Sequence, residues 1–223
     1  MNISDGKENY SQKNNKYTWH RNNRRIASFG ECNVTSMCMM LDYNGIIMPK
    51  GIYHQPEDNL AKSIMESKLV DDKYKLEYPD WYRGYEAGTI DCYVPIEIHD
   101  LLAYGTNLWL REHGTNEHEV IFSPTLPVKT LLEIVMAKKQ AVVISGKIPQ
   151  AGSKTKVFNH IVVLVGVDSE LNIIFDDPFG FVDDSGAHYG DGRTGNDCNI
   201  SYANFIKWFK PCEQQIKFAH YLV

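Results

Sequence analysis

The sequence predicts an α+β domain, with a helical N-terminal half packed on an antiparallel sheet from the C-terminal half. Helical signals fall before residue 140 and most strand signals after it. The 223 residues are 43% apolar and 23% charged, a globular balance, and the length suits one domain. No internal repeat and no linker divides the chain.

Residues 1–18 (MNISDGKENYSQKNNKYT) are rich in Asn, Lys, Ser and Gln. They are expected to form a partly ordered arm, leaving 19–223 as the single domain. After Cys32, the residues Val34, Met37, Cys38 and Leu41 make one stripe at helical spacing, and Asn44-Gly45 gives a stop. A second helix follows Pro56, with Leu60, Ala61, Ile64 and Met65 on its buried face. A third is expected from Pro95 to Tyr104, stopping at Gly105, and a fourth from Pro127 to Lys139, with cations in its last turn. Strands are expected at Ala141–Ser145, His160–Val167, Ile173–Asp176 and Lys217–Leu222, with Asp168–Asn172 turning a hairpin.

Charge and cysteine content narrow the function. A net charge of −5 disfavours general nucleic-acid binding. Residues 1–10 are polar and read as no secretory signal, so the chain is expected to be made and kept in the cytoplasm. No apolar run suggests a membrane span. Five cysteines cannot all pair internally, so at least one thiol is free. Cys92, Cys198 and Cys212 lack zinc-site spacing, and Cys38 sits on the apolar stripe. No phosphate loop is present. No cofactor or metal is expected. Residues 183–197 (DDSGAHYGDGRTGND) lack EF-hand spacing and read as a mobile loop bordering a cleft, which His188 could line. Trp81, Tyr82 and Tyr85 form an aromatic cluster that reads as packing. His99, His113, His118 and His220 carry no readable signal.

Cys32 directly precedes a helix, where unpaired N–H groups and the helix dipole favour an anion and hence a nucleophilic thiolate. His160 opens a strand of apolar residues. Asp177 ends the next strand, and a hairpin turning near Glu170 sets it diagonally across from His160. Asp176 is the weaker alternative, since adjacent strand residues face opposite sides. A nucleophile, a base and an acid that orients the base form a hydrolytic triad.

These segments resemble the papain-like cysteine peptidases, in particular the bacteriocin-processing (double-glycine leader) peptidase-like family and its stand-alone, phage lysin-like members. GECNVTSMCMMLDYNGI resembles the family's Cys motif and FNHIVVLVGVDSELNIIFDDPFG its His strand and Asp-Pro; QPEDNL at 55–60 and the closing FAHYLV are similar too. The resemblance spans about residues 10–222. It implies a papain-like fold and a cysteine peptidase or amidase. It also implies an oxyanion donor upstream of the nucleophile. SQKNNK points to Gln12, which lies 20 residues before Cys32; an insertion with WHRNNRR makes His20 or Asn22 alternatives. The lysin-like members suggest a peptidoglycan substrate and an endolysin released to the cell wall during host lysis. A protein-processing peptidase or transamidase, and an inactive binding module, are the alternatives.

Charge is unevenly placed. No acid lies between Glu8 and Glu31, where Lys13, Lys16, Arg21, Arg24 and Arg25 fall, and no Lys or Arg lies between Lys156 and Arg193. These read as two solvated segments, or as a basic arm that packs across the acidic loop or faces an anionic substrate.

Overall fold

The computed structural model describes residues 2–4, 7, 10–17, 31–48, 51–53, 55–86, 99–209 and 215–223. Helix α1 (Cys32–Tyr43) ends at the expected stop. It is buried all round from Asn33 to Leu41, not along one stripe. Its polar residues tolerate this because each has a partner. Thr35 Oγ1 donates to the Glu31 carbonyl (2.8 Å), Ser36 Oγ donates to the Ile161 carbonyl (3.2 Å), and Asn33 Oδ1 accepts the Val34 N–H (2.7 Å). Met37, Met39, Met40 and Leu41 are fully buried, each contributing about 1.5–3 kcal/mol of hydrophobic stabilisation.

Helix α2 (Pro56–Glu66) begins on proline, whose missing N–H costs nothing at a first turn, and buries Leu60, Ala61 and Ile64 while Met65 is half-buried. Helices α3 (Lys68–Glu77) and α4 (Pro79–Glu86) follow, neither of them expected. Helix α5 (His99–Glu112) runs straight through Gly105, where a stop was expected. A Cβ at 105 would lie 2.8 Å from Ile64 Cγ1, so this glycine lets two helices cross closely. The expected start of that helix at Pro95 lies outside the described residues.

The main sheet has six antiparallel strands in the order β1-β10-β3-β4-β5-β8. They are β1 (Val120–Ser123), β3 (Val142–Pro149), β4 (Val157–Val167), β5 (Ile173–Asp176), β8 (Cys198–Ile200) and β10 (Ala219–Leu222). Short pairs join β2 (Leu126–Pro127) to β9 (Gln215–Ile216) and β6 (Val182–Asp183) to β7 (Gly186–Ala187). Helix α6 (Val128–Leu132) continues as a π turn over Glu133–Ala137, close to the bounds expected. Strand β4 starts at Val157, so His160 lies inside the strand and does not open it. Its first three residues are exposed or half-buried, which hid them from an apolar-run criterion.

The α+β class is as expected, but the sheet is covered on both faces. Val143, Ile161, Val163 and Val165 pack with α1, α2 and α5. Val142, Ile144, Val162 and Leu164 pack with α6 and with Phe205, Trp208 and Phe209 of α7 (Tyr202–Phe209). Alternate strand residues thus serve two cores. The first residues do not stand clear of this body. Asn2 bridges to Gly166, the Ile3 N–H donates to the Val165 carbonyl (2.9 Å), and Gln12 and Asn15 are buried. Among the described residues, no helix is long and apolar enough to cross a membrane.

Candidate active site

The site forms where the start of α1 meets the middle of β4 and the end of β5. Cys32 is the first residue of α1, half-buried, and its thiol lies beside the His160 ring, close enough to help that ring hold a proton. The bond from Ser36 to Ile161 ties the helix to the strand one residue beyond His160. On the ring's other side, His160 Nε2 donates to Asp177 Oδ1 at 2.7 Å. Nδ1 is left to serve the thiol. Because Val163 pairs with Asp176, Asp177 extends the register toward His160.

Asp177 is fully buried, and its carboxylate is fully engaged. Oδ1 also accepts the N–H groups of Phe179 (2.7 Å) and Gly180 (3.3 Å), while Oδ2 accepts the Tyr189 hydroxyl (2.7 Å). Its own N–H donates to the Gly195 carbonyl at 2.8 Å. A Cβ at Gly195 would fall 1.9 Å from the Asp177 carbonyl oxygen, so only glycine permits this approach. Burial alone would discharge His160, but the charge of Asp177, its hydrogen bond and Cys32 outweigh burial and push the pKa up to about 10.

Asp176 turns the other way. It accepts the Asp197 N–H (2.7 Å) and lies near Tyr43 and Ser4, and burial raises its pKa. Adjacent residues on one strand are thereby separated, as the two-residue period requires.

Gln12 opens a 3₁₀ turn (Gln12–Asn14), and its N–H donates to the Pro178 carbonyl at 3.0 Å, beside Asp177. The same segment is pinned to α1 and α2. Asn15 Nδ2 donates to Thr35 Oγ1 (2.8 Å), and Asp58 Oδ1 accepts the N–H groups of Lys16 (2.9 Å) and Tyr17 (3.0 Å). Asp58 belongs to the QPEDNL segment, which therefore holds the Gln12 strand of chain in place. His20 and Asn22 lie outside the described residues, as do Cys92, Cys212, Arg21, Arg24 and Arg25.

Residues 183–197 border the site through Tyr189, which had no signal beyond lying in that segment. Its ring touches Phe158 (4.9 Å), His160 (5.6 Å) and Phe179 (4.9 Å), centroid to centroid. His188, a candidate to line the cleft, instead bonds Asp183 Oδ1 (3.1 Å) and Ser185 Oγ (3.0 Å). Trp81 and Tyr82 belong to α4, where Tyr82 is buried against Tyr74 (5.6 Å), away from these residues. Among the described residues, no group of three or more His, Cys, Asp or Glu is placed to hold a metal ion.

The Peptidase_C39 like family model matches residues 7–191, which contain Gln12, Cys32, His160, Asp177 and Tyr189. The chain belongs to that family, and with it to the cysteine peptidases, hydrolases acting on peptides. No curated protein matches the chain.

Proposed function

We propose that the chain hydrolyses peptide or amide bonds with Cys32 as nucleophile, His160 as base and acid, Asp177 as the group that orients His160, and Gln12 with the Cys32 N–H as oxyanion donors. One observation carries this reading: a buried imidazole is held between a thiol at a helix start and a carboxylate 2.7 Å away. The thiolate adds to the carbonyl carbon, and the oxygen becomes an oxyanion. A first-turn N–H of a helix has no acceptor within the helix and can stabilise that charge. His160 gives its proton to the leaving nitrogen, and the C–N bond breaks. Water, deprotonated by His160, then adds to the thioester; the thiolate leaves and the acid product is released.

The substrate we propose is the peptide part of peptidoglycan, as in the lysin-like proteins the sequence resembles. The test is loss of turbidity, or a cleared zymogram band, with purified cell walls. The native chain clears them and Cys32→Ala does not. Clearing that survives Cys32→Ala overturns the mechanism. Inert walls together with a cleaved protein substrate move the assignment to protein processing, and mass spectrometry separates hydrolysis from transfer to an amine.

A further inference from the structure

A cleft of about 580 Å³ lies beside His160, lined by Lys13, Lys156, Gln150, Phe158, Phe179 and Tyr189 among others. Its make-up is specific. The floor is aromatic, and Phe179 and Tyr189 both touch the His160 ring, at 6.3 Å and 5.6 Å. Two ammonium groups stand over that floor: Lys13 Nζ is 5.0 Å from the Phe179 centroid and Lys156 Nζ 5.3 Å from that of Phe158. Neither lysine has a carboxylate partner among the described residues, although the chain as a whole is acidic. The nearby acids are already taken. Asp177 is buried with all its bonds made, Asp183 holds His188, and Asp191 holds Arg193 at 2.7 Å.

We infer that this cleft is a substrate subsite selecting a carboxylate within a few residues of the scissile bond, with an apolar stem lying on the aromatic floor. The inference rests on the peptidase reading above. The distance follows from strand geometry. Lys156, Phe158 and His160 alternate along one segment, and four residues of strand span about 13 Å. An extended peptide covers that in roughly four residues. Lys13 stands nearer, over the ring that touches His160. Two cations on a surface walled by rings attract an anion more strongly than either does in open water. The bonds that pin the Gln12 segment to α1 and α2 set Lys13 at the cleft mouth as well as setting Gln12 beside Pro178.

The experiment uses blocked octapeptides (N-acetyl, C-amide) carrying Asp, Asn, Glu, Gln or Lys at one scanned position. A matching set ends in a free carboxylate at that position. Cleavage by the native chain and binding to Cys32→Ala, by fluorescence anisotropy, are both measured. At one position within four residues of the cut, acids are preferred over their amides by about tenfold, and 0.5 M salt erodes the preference. Whichever set shows it identifies the source as a side chain or a chain end. Lys156→Glu inverts the preference toward the Lys peptide, a gain that misfolding cannot mimic. Equal handling of acids and amides overturns the subsite and leaves the peptidase reading intact. Acid-selective binding with neither the peptides nor purified cell walls cleaved overturns the peptidase reading and leaves the subsite. An acid preference that persists in both Lys156→Glu and Lys13→Glu overturns the assignment to these lysines.

Discussion

The molecule buries histidines in two places and treats them oppositely. His160, in the middle of the sheet, is 6% exposed and carries a pKa pushed up to about 10. His99 and His220 lie at the β1–β10 side of the sheet, packed against Phe122 and Phe218, with the two imidazoles 5.9 Å apart. Burial, with a smaller push from Lys217, lowers the His99 pKa to about 3, and burial with His99 lowers that of His220 well below its ordinary value. His99 Nδ1 and both ring nitrogens of His220 have no hydrogen-bond partner among the described residues. Burial is therefore the same in both regions, and the carboxylate of Asp177 makes the difference. A buried ring with an anion beside it holds its proton; a buried ring among aromatic neighbours gives it up.

The largest test of this contrast is Asp177→Asn, which keeps the shape and removes the charge. His160 should then behave as His99 does, its ring titration falling from about 10 to below the usual value of about 6.5. Activity should fall by about 10³–10⁴-fold, the scale of an orienting carboxylate lost from a triad. NMR of the His160 ring and kcat on a peptide substrate read both. The raised pKa also has a stability signature. Its stabilising effect is complete below about 6.5 and fades as pH rises toward about 10, because the folded state keeps a proton the unfolded chain has lost. Denaturant titrations of native protein should show that alkaline decline, and Asp177→Asn should flatten it. A His160 that still titrates near 10 in the variant would assign the effect to Cys32.

How far this was legible in the sequence depends on how local each signal is. Cys32, His160 and Asp177 were readable because each sits at a punctuated position: a helix start, an apolar run, an Asp-Pro. Their convergence is a matter of register, which the sequence does not fix to one residue; the pairing of Val163 with Asp176 is what separates Asp176 from Asp177. Tyr189 was not legible. It comes from a Gly- and Asp-rich segment with no period, and only the tertiary path returns it to Asp177 Oδ2. Helices α3 and α4 were missed because, among residues 68–84, only Val70 and Tyr82 are buried, leaving little apolar stripe to read. Gly105 was misread because a glycine needed for helix crossing looks the same as a stop signal until Ile64 is found beside it. His99 and His220 gave no signal, since a neutral core histidine follows no spacing rule.

A smaller effect is expected from Tyr189→Phe, which sharpens the contrast without abolishing it. The phenylalanine keeps the contacts with Phe158, Phe179 and His160 and deletes one hydrogen bond to Asp177. Leaving a buried acceptor unsatisfied costs about 1–3 kcal/mol, so both stability and kcat should fall, the latter by about tenfold. With less of its charge drawn off by the hydroxyl, Asp177 should hold the His160 proton harder. The ring titration should therefore move up while kcat moves down. A merely structural tyrosine would lower stability and leave that titration where it is, so the NMR shift decides between the two roles.

The smallest effect belongs to the other histidine region, and its sign is opposite. His220→Phe replaces a ring whose two nitrogens have no partner with one that asks for none, in a pocket already lined by Phe122 and Phe218. Stability should rise by about 1 kcal/mol in denaturant titrations at neutral pH, with peptide hydrolysis unchanged. The acid limb should change as well. A lowered histidine pKa gives stability that is complete above about 6.5 and is lost as pH falls, because the unfolded chain takes the proton first. His220→Phe should therefore unfold at lower pH than the native chain, while Asp177→Asn, which lowers the His160 pKa below its ordinary value, should unfold at higher pH. A destabilised His220→Phe would mean that the ring nitrogens hold partners in solution. Burial without a carboxylate would then no longer be the sole reason the two regions differ.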